Sequence, residues 1–359
     1  MPGPVFVHAI TTKGKGLPVA EEDSRKWHGV VPFDLERCEL AKSVGPVTFT
    51  QAFGSAAMEA AEADPAVVAI TAAMPDGTGL TEFAKQYPKR YFDTGIAEPH
   101  AVTMAAGMAA GGLKPFVAIY SSFLQRAYDG IVHDVALQKL PVRFFLDRAG
   151  LVGDDGPTHH GVFDLSYLLH IPHLTVAAPR DTTELMEMVR WSVGFDEGPL
   201  AVRYPRGAGD DRLPESRSPI VRGRAEVLSE GSDLAFIAIG SGVAPAWEAA
   251  RRLQERGMSV GVVNARFAKP LDEEAILAVA RSVQRVVTVE ENVESGGFGE
   301  AVASLLRRAG VSTLVEIVAL PDSFVEHGTQ PILRHETGID ADGIVARVLG
   351  EVPISAASQ

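Results

Sequence analysis

The stretch "RYFDTGIAEPHAVTMAAGMAAGGLKPFVAIY", residues 90–120, predicts a strand, a helix and a second strand in succession. "RYFDTGI" and "KPFVAIY" are runs of strand length, and the small residues between them form a helix that ends at the pair Gly111 and Gly112. Continuous apolar strands separated by helices are typical of a parallel sheet that is covered on both faces. This segment therefore predicts an α/β fold.

The same alternation continues along most of the chain. It predicts one α/β domain over residues 45–207, a polar linker rich in Pro and Gly over residues 208–222, and a smaller α/β domain over residues 223–359. Residues 1–44 differ, because "PVFVHAI" reads as one strand followed by loop. We expect this part to be the remnant of a preceding domain and its linker. The predicted class is α/β with two doubly wound, mostly parallel sheets.

Composition limits the classes of partner. The chain has 359 residues with a net charge of −13, which argues against nucleic acid and anionic membranes as partners. No apolar run approaches the roughly 20 residues of a membrane span, and the start lacks a signal-peptide pattern. Cys38 is the single cysteine, so no disulfide forms within the chain. We predict a cytoplasmic location.

Ligands in open parallel sheets bind at the carboxyl ends of the strands. Each side chain predicted there also has a plainer interpretation: Arg126 as a solvated helix charge, Phe123 and Met74 as core, Asp155 as a turn residue. Their convergence is more informative, since several guanidinium groups are brought together most readily by an anion such as phosphate. The predicted edge carries Met74, Ile96, Glu98, Tyr120, Phe123, Arg126, Arg148, Asp155, His159, Arg203 and Arg206.

The loop "GDDGPTHHG", residues 153–161, is punctuated by glycines and can approach a ligand closely. A histidine near an aspartate in such a loop can act as a general acid or base near neutral pH. Metal binding is the less favoured alternative, because His159 and His160 are adjacent in sequence and no third ligand is apparent. We predict no metal ligands in this chain.

Several motifs resemble the 1-deoxy-D-xylulose-5-phosphate synthase family of thiamine-diphosphate enzymes, and the resemblance covers nearly the whole chain. Transketolases and 2-oxo acid dehydrogenase beta subunits share the "GIAE" glutamate with this family but not the "DRAG" and "GDDGPTHHG" loops in this form. The motifs are "GIAEPHAV", "YSSFLQRAYDGIVHDVALQKLPV", "DRAGLVGDDGPTHHGVFDLSYL" and "AVRYPRG" in the first domain, "VNARFAKPLD" and "VEENVESGGFGEAV" in the second, and "TTKGKG" and "KWHGVVPFD" before them.

The resemblance implies a role for each matching residue. Glu98 would bond N1′ of the thiamine pyrimidine, and Phe123, Ile96 and Met74 would form the pocket of that ring. Asp155 and His159 would bind acceptor hydroxyl groups and move protons, and His28 would approach from the other side as a further catalytic residue. The groups implied for phosphate and carboxylate are Tyr120, Arg126, Arg148, Arg206 and Lys13.

The resemblance also implies a transferase of isoprene biosynthesis. Such an enzyme decarboxylates pyruvate and transfers the two-carbon unit to glyceraldehyde 3-phosphate, which gives 1-deoxy-D-xylulose 5-phosphate. The implied cofactors are thiamine diphosphate and Mg²⁺, and the implied assembly is a homodimer.

One element of the family pattern is missing. The cofactor's diphosphate is held through Mg²⁺ by a "GDG" and a later Asn, and this sequence has no such element. We therefore expect a fragment, a subunit of a split enzyme whose partner chain carries the diphosphate-binding domain, or a non-catalytic remnant, and in each case an inactive isolated chain. The beta subunit of a 2-oxo acid dehydrogenase is an alternative. The second domain is expected to have no catalytic residue.

Overall fold

A computed structural model gives the structure of the chain. It forms two compact units, residues 1–46 and residues 47–359. The structure describes residues 2–24, 26–28, 33–34, 36–40, 45–210, 212–215 and 217–351.

The first unit contains little regular structure. Its elements are helix α1 (Pro18–Glu22), which starts with a proline in its first turn, and the antiparallel pair β1 (Phe33–Asp34) and β2 (Glu39–Leu40). The strand predicted from "PVFVHAI" is wrong. Residues 4–10 pair with no strand among the described residues, and Phe6 is 90% exposed. An apolar run alone does not make a strand, since a strand needs a partner for its backbone hydrogen bonds.

The second unit begins with an α/β domain. Thr48 caps its first helix in a capping box with Gln51. Two 3₁₀ turns, Gln125–Ala127 and Gly156–Thr158, and one π-helical segment, Ile131–Ala136, lie between the regular elements. The regular elements are α2 (Phe49–Ala63), β3 (Val67–Thr71), α3 (Thr81–Gln86), β4 (Tyr91–Asp93), α4 (Glu98–Ala110), β5 (Lys114–Tyr120), α5 (Ser121–Leu124), α6 (Tyr128–Gly130), β6 (Arg143–Asp147), α7 (Asp164–Leu168), β7 (Thr175–Ala177), α8 (Thr182–Val193) and β8 (Leu200–Arg203).

A second, smaller α/β domain follows. Its elements are β9 (Glu226–Ser229), β10 (Leu234–Ala238), α9 (Val243–Gln254), β11 (Val260–Asn264), β12 (Phe267–Lys269), α10 (Glu273–Ser282), β13 (Arg285–Val293), α11 (Phe298–Arg308), β14 (Leu314–Leu320), α12 (Gln330–Glu336) and α13 (Ala341–Leu349). The sheet of this domain has the order β14-β13-β10-β11-β9 and is parallel except for β9. The α/β class with two mostly parallel sheets is thereby confirmed.

One strand crosses between the two domains. The sequence predicts a single strand over "SVGVVNARF", residues 259–267. The structure instead divides this strand in two at Arg266, which has a left-handed φ of 58°. The residues after the break form β12, which pairs antiparallel with β7 of the first domain. The larger sheet therefore has the order β12-β7-β8-β6-β5-β3-β4, with its edge strand supplied by the second domain.

Buried ion pairs also join the two domains. Arg266 donates from Nε to Glu184 Oε1 at 2.7 Å, and Arg180 Nη1 lies 3.0 Å from Glu226 Oε2. Burial raises the pKa of Glu184, and the charge of Arg266 opposes that rise. Paired charges of this kind add little net stability, because burial removes both groups from water. Among the described residues, no helix is both long enough and apolar enough to cross a bilayer.

Candidate active site

Glu98 lies where the fold predicts a ligand, after the carboxyl end of β4. Asp93 Oδ1 accepts hydrogen bonds from the backbone N–H groups of Ala73 and Gly95, and Gly95 takes a left-handed φ of 68°. This turn carries the chain into α4, whose first residue is Glu98. The Glu98 side chain is only 3% exposed.

Arg126 forms a salt bridge with the carboxylate of Glu98. Its Nη1 donates to Glu98 Oε1 at 2.9 Å, and its Cζ lies 4.9 Å from the ring centroid of Phe123. The Arg126 side chain remains 51% exposed. Glu98 Oε2 accepts no hydrogen bond from the residues that the structure describes. The guanidinium therefore spans the acid and the aromatic ring that the sequence assigns to the cofactor, whereas Arg126 itself was assigned to an anion.

Aromatic rings extend the cluster from Phe123. Tyr120 stacks on Phe123 with ring centroids 5.7 Å apart, and Arg148 places its Cζ 3.8 Å from the centroid of Tyr120. A Cβ atom at Gly77 would lie 1.7 Å from the Tyr120 hydroxyl oxygen. Any side chain at position 77 would therefore force the Tyr120 ring to shift, because the tyrosine hydroxyl packs directly against the Gly77 backbone.

Arg148 is held from two sides. Its Nη1 donates to Asp147 Oδ1 at 2.9 Å and to the carbonyl of Gly77, and its backbone has a left-handed φ of 63°. Thr50 donates to the other oxygen of Asp147 at 2.7 Å. Burial raises the pKa of Asp147 to about 6, although Arg148 and Thr50 both favour the charged form. The buried acid fixes the guanidinium, which reaches the cluster at 14% side-chain exposure.

The loop after β6 brings the remaining polar groups. His159 meets Phe123 edge-on at 5.2 Å between centroids, and its Nδ1 lies 2.9 Å from Thr158 Oγ1. Asp155 accepts a hydrogen bond from Arg206 Nη1 at 2.9 Å, and both side chains are exposed.

The Asp155–Arg206 pair lies within electrostatic reach of the ring cluster. Burial raises the pKa of the Tyr120 hydroxyl. Arg148 and Arg206 lower that pKa, while Asp147 and Asp155 raise it. The five groups therefore share one local electrostatic field.

Eight of the predicted side chains, Arg126 among them, thus form one region by direct contact or electrostatic reach. Met74 is half-buried against the hydrophobic core, and Ile96 is 81% exposed. The role of these two residues in the pocket of the thiamine pyrimidine stays a prediction. Lys13 and His28 belong to the unit of residues 1–46, so their approach to this region stays a prediction.

Two functional contacts were missed by sequence reasoning. Arg203 appears among the side chains predicted at the carboxyl edge of the sheet, but it is buried and donates from Nε to both carboxylate oxygens of Asp164 at 2.9 Å. Asp147, the "D" of "DRAG", supports Arg148. An acid directly before a predicted anion-binding arginine is a sequence signal that could have indicated this second role.

Taken together, an acid at a helix start, stacked rings and arginines at the carboxyl edge of a parallel sheet define a ligand-binding enzyme domain. The family model of the transketolase pyrimidine-binding domain matches residues 45–210, and that of the transketolase C-terminal domain matches residues 223–344. The chain belongs to the transketolase family.

Within this family, curated relatives agree with the resemblance predicted from the motifs. The chain is 55% identical over 347 residues to 1-deoxy-D-xylulose-5-phosphate synthase 1 of Geobacter sulfurreducens, covering 96% of this chain and 54% of that protein. It is 52% identical over 342 residues to the 1-deoxy-D-xylulose-5-phosphate synthase of Aquifex aeolicus, covering 95% and 54%. The resemblance is confirmed, and the chain spans about half the length of these relatives.

Solved structures confirm the fold. A split gene transketolase, described as an inactive beta4 tetramer, matches with a TM-score of 0.74 and 32% identity, covering 86% of this chain and 99% of that one. The transketolase of Campylobacter jejuni matches with a TM-score of 0.70 and 20% identity, covering 88% and 49%. The second likeness concerns the fold alone.

Proposed function

We propose that this chain supplies the pyrimidine-binding and C-terminal parts of a thiamine-diphosphate-dependent transferase. The reaction joins a two-carbon unit from pyruvate to glyceraldehyde 3-phosphate and gives 1-deoxy-D-xylulose 5-phosphate. One observation carries the proposal: a buried carboxylate, Glu98, beside the aromatic face of Phe123 in a cluster of arginines. The names of the curated relatives support the same reaction.

The residues present fit an aminopyrimidine. Glu98 offers an oxygen without a partner among the described residues, and Phe123 offers a half-buried ring next to it. Arg126 already contacts the other carboxylate oxygen of Glu98 and the ring of Phe123. The guanidinium therefore has to move away before Glu98 and Phe123 can both contact the pyrimidine. Thiamine diphosphate, when bound, supplies a nucleophilic carbon for 2-oxo acid chemistry. Glu98 would hold a proton at N1′ of the pyrimidine and orient that ring.

The arginines suit the anionic groups of both substrates. Arg148 is presented by the buried Asp147, and Arg206 is paired with the exposed Asp155. A phosphate that displaced Asp155 from Arg206 would gain a bidentate guanidinium contact and would free a carboxylate for acceptor hydroxyl groups. His159, held beside Phe123, would exchange a proton with the acceptor.

The residues present do not fit Mg²⁺ and the diphosphate. Among the described residues, His335, Asp340 and Asp342 bring their ligand atoms within 4.8 Å of one another. One of the three is a nitrogen ligand, whereas Mg²⁺ prefers oxygen. Asp340 also caps α13 and Asp342 pairs with Arg252. We propose that the Mg²⁺ and diphosphate ligands lie on a preceding domain or a separate chain.

Chain partners follow from this division. We propose a cytoplasmic homodimer that works with the diphosphate-binding part, either in one longer chain or in a split enzyme. The split gene transketolase supports the second arrangement, because this chain covers 99% of a structure described as inactive.

Reconstitution tests the proposal. The chain is mixed with a diphosphate-binding domain from a related synthase, and sugar-phosphate formation is followed with pyruvate and glyceraldehyde 3-phosphate. Glu98→Ala should lower kcat by about 100-fold or more, since general acid–base groups contribute about that much. Glu59→Ala, which removes an exposed partner of Arg190, is the matched control and should leave kcat unchanged.

Two outcomes would contradict the proposal. Acylation of a lipoyl domain without sugar phosphate would assign the chain to a 2-oxo acid dehydrogenase. No turnover, together with calorimetry that detects no thiamine diphosphate binding in the reconstituted mixture, would leave a non-catalytic remnant.

A further inference from the structure

The loop from Gly150 to Gly161 is closed at its base. Gly150 N–H donates to the carbonyl of Gly161 at 2.7 Å, and Gly161 N–H donates back to Gly150 at 2.9 Å. Asp155 and His159 lie in the middle of this loop, around the turn Gly156–Thr158. Their positions therefore depend on what the body of the loop rests upon.

Glu291 of the second domain contacts the start of the loop, at Gly150 and Leu151. Its Oε1 accepts the backbone N–H of Leu151 at 3.1 Å, although Leu151 belongs to the first domain. A Cβ atom at Gly150, which has a φ of 79°, would lie 2.7 Å from Glu291 Cδ. The carboxylate thus rests directly against the loop backbone, and glycine at position 150 permits that approach.

The Glu291 carboxylate is itself fixed by the second domain. Arg334 donates from Nε to Oε1 and from Nη2 to Oε2, both at 3.1 Å, and Ser241 donates to Oε2 at 2.6 Å. Glu291 is 2% exposed. A buried carboxylate that accepts four hydrogen bonds is a rigid support.

The end of the loop, at Gly161, is also linked to Glu291. Arg203 Nη2 donates to the backbone carbonyl of Glu291 at 3.1 Å and lies 3.4 Å from the carbonyl of Gly161. Glu291 therefore contacts the start of the loop through its side chain. Its backbone carbonyl is linked to the end of the loop, at Gly161, through Arg203.

The segment Glu326–Gln330 adds further supports. Gln330 Nε2 donates to the carbonyl of Leu151 at 2.7 Å. His160 Nδ1 accepts the N–H of Val152 at 2.9 Å, which places the ring proton on Nε2, where it faces the carbonyl of Glu326 at 3.3 Å. The second histidine of "HH" is thus a structural residue, in contrast to His159.

We propose that Glu291 is a positioning residue, which holds the Gly150–Gly161 loop so that Asp155 and His159 face the acceptor substrate. The second domain, for which the sequence predicts no catalytic group, acts on the reaction through this support. The functional part of the inference rests on the proposed transferase activity; the structural part does not.

Hydrogen exchange on the whole chain tests the structural part. At pH 7, Glu291→Gln should raise amide exchange in residues 151–161 by roughly 10- to 100-fold, the range set by the loss of a charged hydrogen bond. Exchange in β3 and β5 should not change. Glu290→Gln is the matched control, since Glu290 is the adjacent buried acid and accepts the N–H groups of Phe298 and Gly299.

A second variant covers the case in which Glu291→Gln does not fold. Gln330→Met removes one neutral hydrogen bond to the loop and should raise the same exchange by roughly 2- to 10-fold. Unchanged loop exchange in a folded Glu291→Gln, or an equal rise in Glu290→Gln, would overturn the proposal.

Kinetics of the reconstituted enzyme separates this inference from the proposed function. Glu291→Gln should raise KM for glyceraldehyde 3-phosphate by about tenfold or more through misplacement of the loop groups, with KM for pyruvate nearly unchanged. If exchange rises but the wild-type mixture makes no sugar phosphate, the proposed function fails while Glu291 remains the support of the loop. If activity is normal in Glu291→Gln, the positioning role is wrong.

Discussion

Replacing Arg126 with Met should tighten the binding of an aminopyrimidine to this chain. In the structure, the Arg126 guanidinium donates to Glu98 Oε1 at 2.9 Å and lies 4.9 Å above Phe123. A guanidinium and an aminopyrimidine are both planar groups with N–H donors, and they compete for the same acid and the same ring face. Removing the guanidinium leaves Glu98 and Phe123 in place for the ligand.

The size of the effect follows from the two contacts that are lost. Arg126 is 51% exposed, so solvent screens its pairing with Glu98, and such a pair contributes about 0.2–1 kcal/mol. The contact with the ring of Phe123 contributes about 0.5–1 kcal/mol at an exposed site. Together they oppose binding by about 0.7–2 kcal/mol, which corresponds to a decrease in Kd of about 3- to 30-fold.

Ligand-observed NMR titration with thiamine and with 4-amino-2-methylpyrimidine measures this change. The matched control is Arg90→Met, because Arg90 also lies over a ring, 4.1 Å from the centroid of Tyr87, but bonds to backbone carbonyls instead of to Glu98. Its Kd should equal that of the wild type. Glu98→Ala should weaken binding in both backgrounds.

The reasoning is refuted if Arg126→Met binds the aminopyrimidine no more tightly than the wild type. It is equally refuted if Glu98→Ala binds as tightly as its parent, because the acid would then not contact the ligand. The first result would mean that Arg126 supports the ligand rather than excluding it.

Three further changes test the packing around the site by urea denaturation. Burial raises the pKa of Glu290 from 4.5 to about 8, so the stability gained from its neutral form is present below pH 4.5 and is lost as the pH rises toward 8. The free energy of unfolding of the wild type relative to Glu290→Gln should therefore fall by up to about 1.4 kcal/mol per pH unit across that window; a constant difference would contradict this. Gly77→Ala should destabilise the chain by about 1–3 kcal/mol, because the new methyl group meets the Tyr120 hydroxyl; an unchanged midpoint would show that Tyr120 moves freely. Arg203→Met should cost about 3–5 kcal/mol, since it leaves the buried Asp164 carboxylate without its main partner; a loss below 1 kcal/mol would contradict this.

Periodicity and short-range signals were sufficient for most of the fold. The apolar runs that form β3, β5 and β6 have no other stable location than a sheet covered on both faces. Several short elements were not predicted, namely α1, β1, β2, α7, β9 and α12. Elements of a few residues depend on the surfaces they pack against, and local sequence carries little of that information.

The candidate site shows the same limit. The strand-end rule correctly indicates that Glu98, Tyr120 and Arg148 share an edge, because topology alone determines which strand ends meet. It does not indicate which partner each charge chooses. Arg126 turned to Glu98 and Arg203 to Asp164, since the ion pairs of an arginine are set by three-dimensional neighbours far apart in sequence.

The second domain supplies β12 to the sheet of the first domain, and this affects where genes of this family can be cut and recombined. A polypeptide that stopped at residue 210 would lose the strand that covers β7, and a bare sheet edge invites aggregation. Chimeras that join the first domain of one relative to the second domain of another should fold better when residues 267–269 come from the parent of the first domain. The natural seam for recombination therefore does not coincide with the polar segment that separates the domains in sequence.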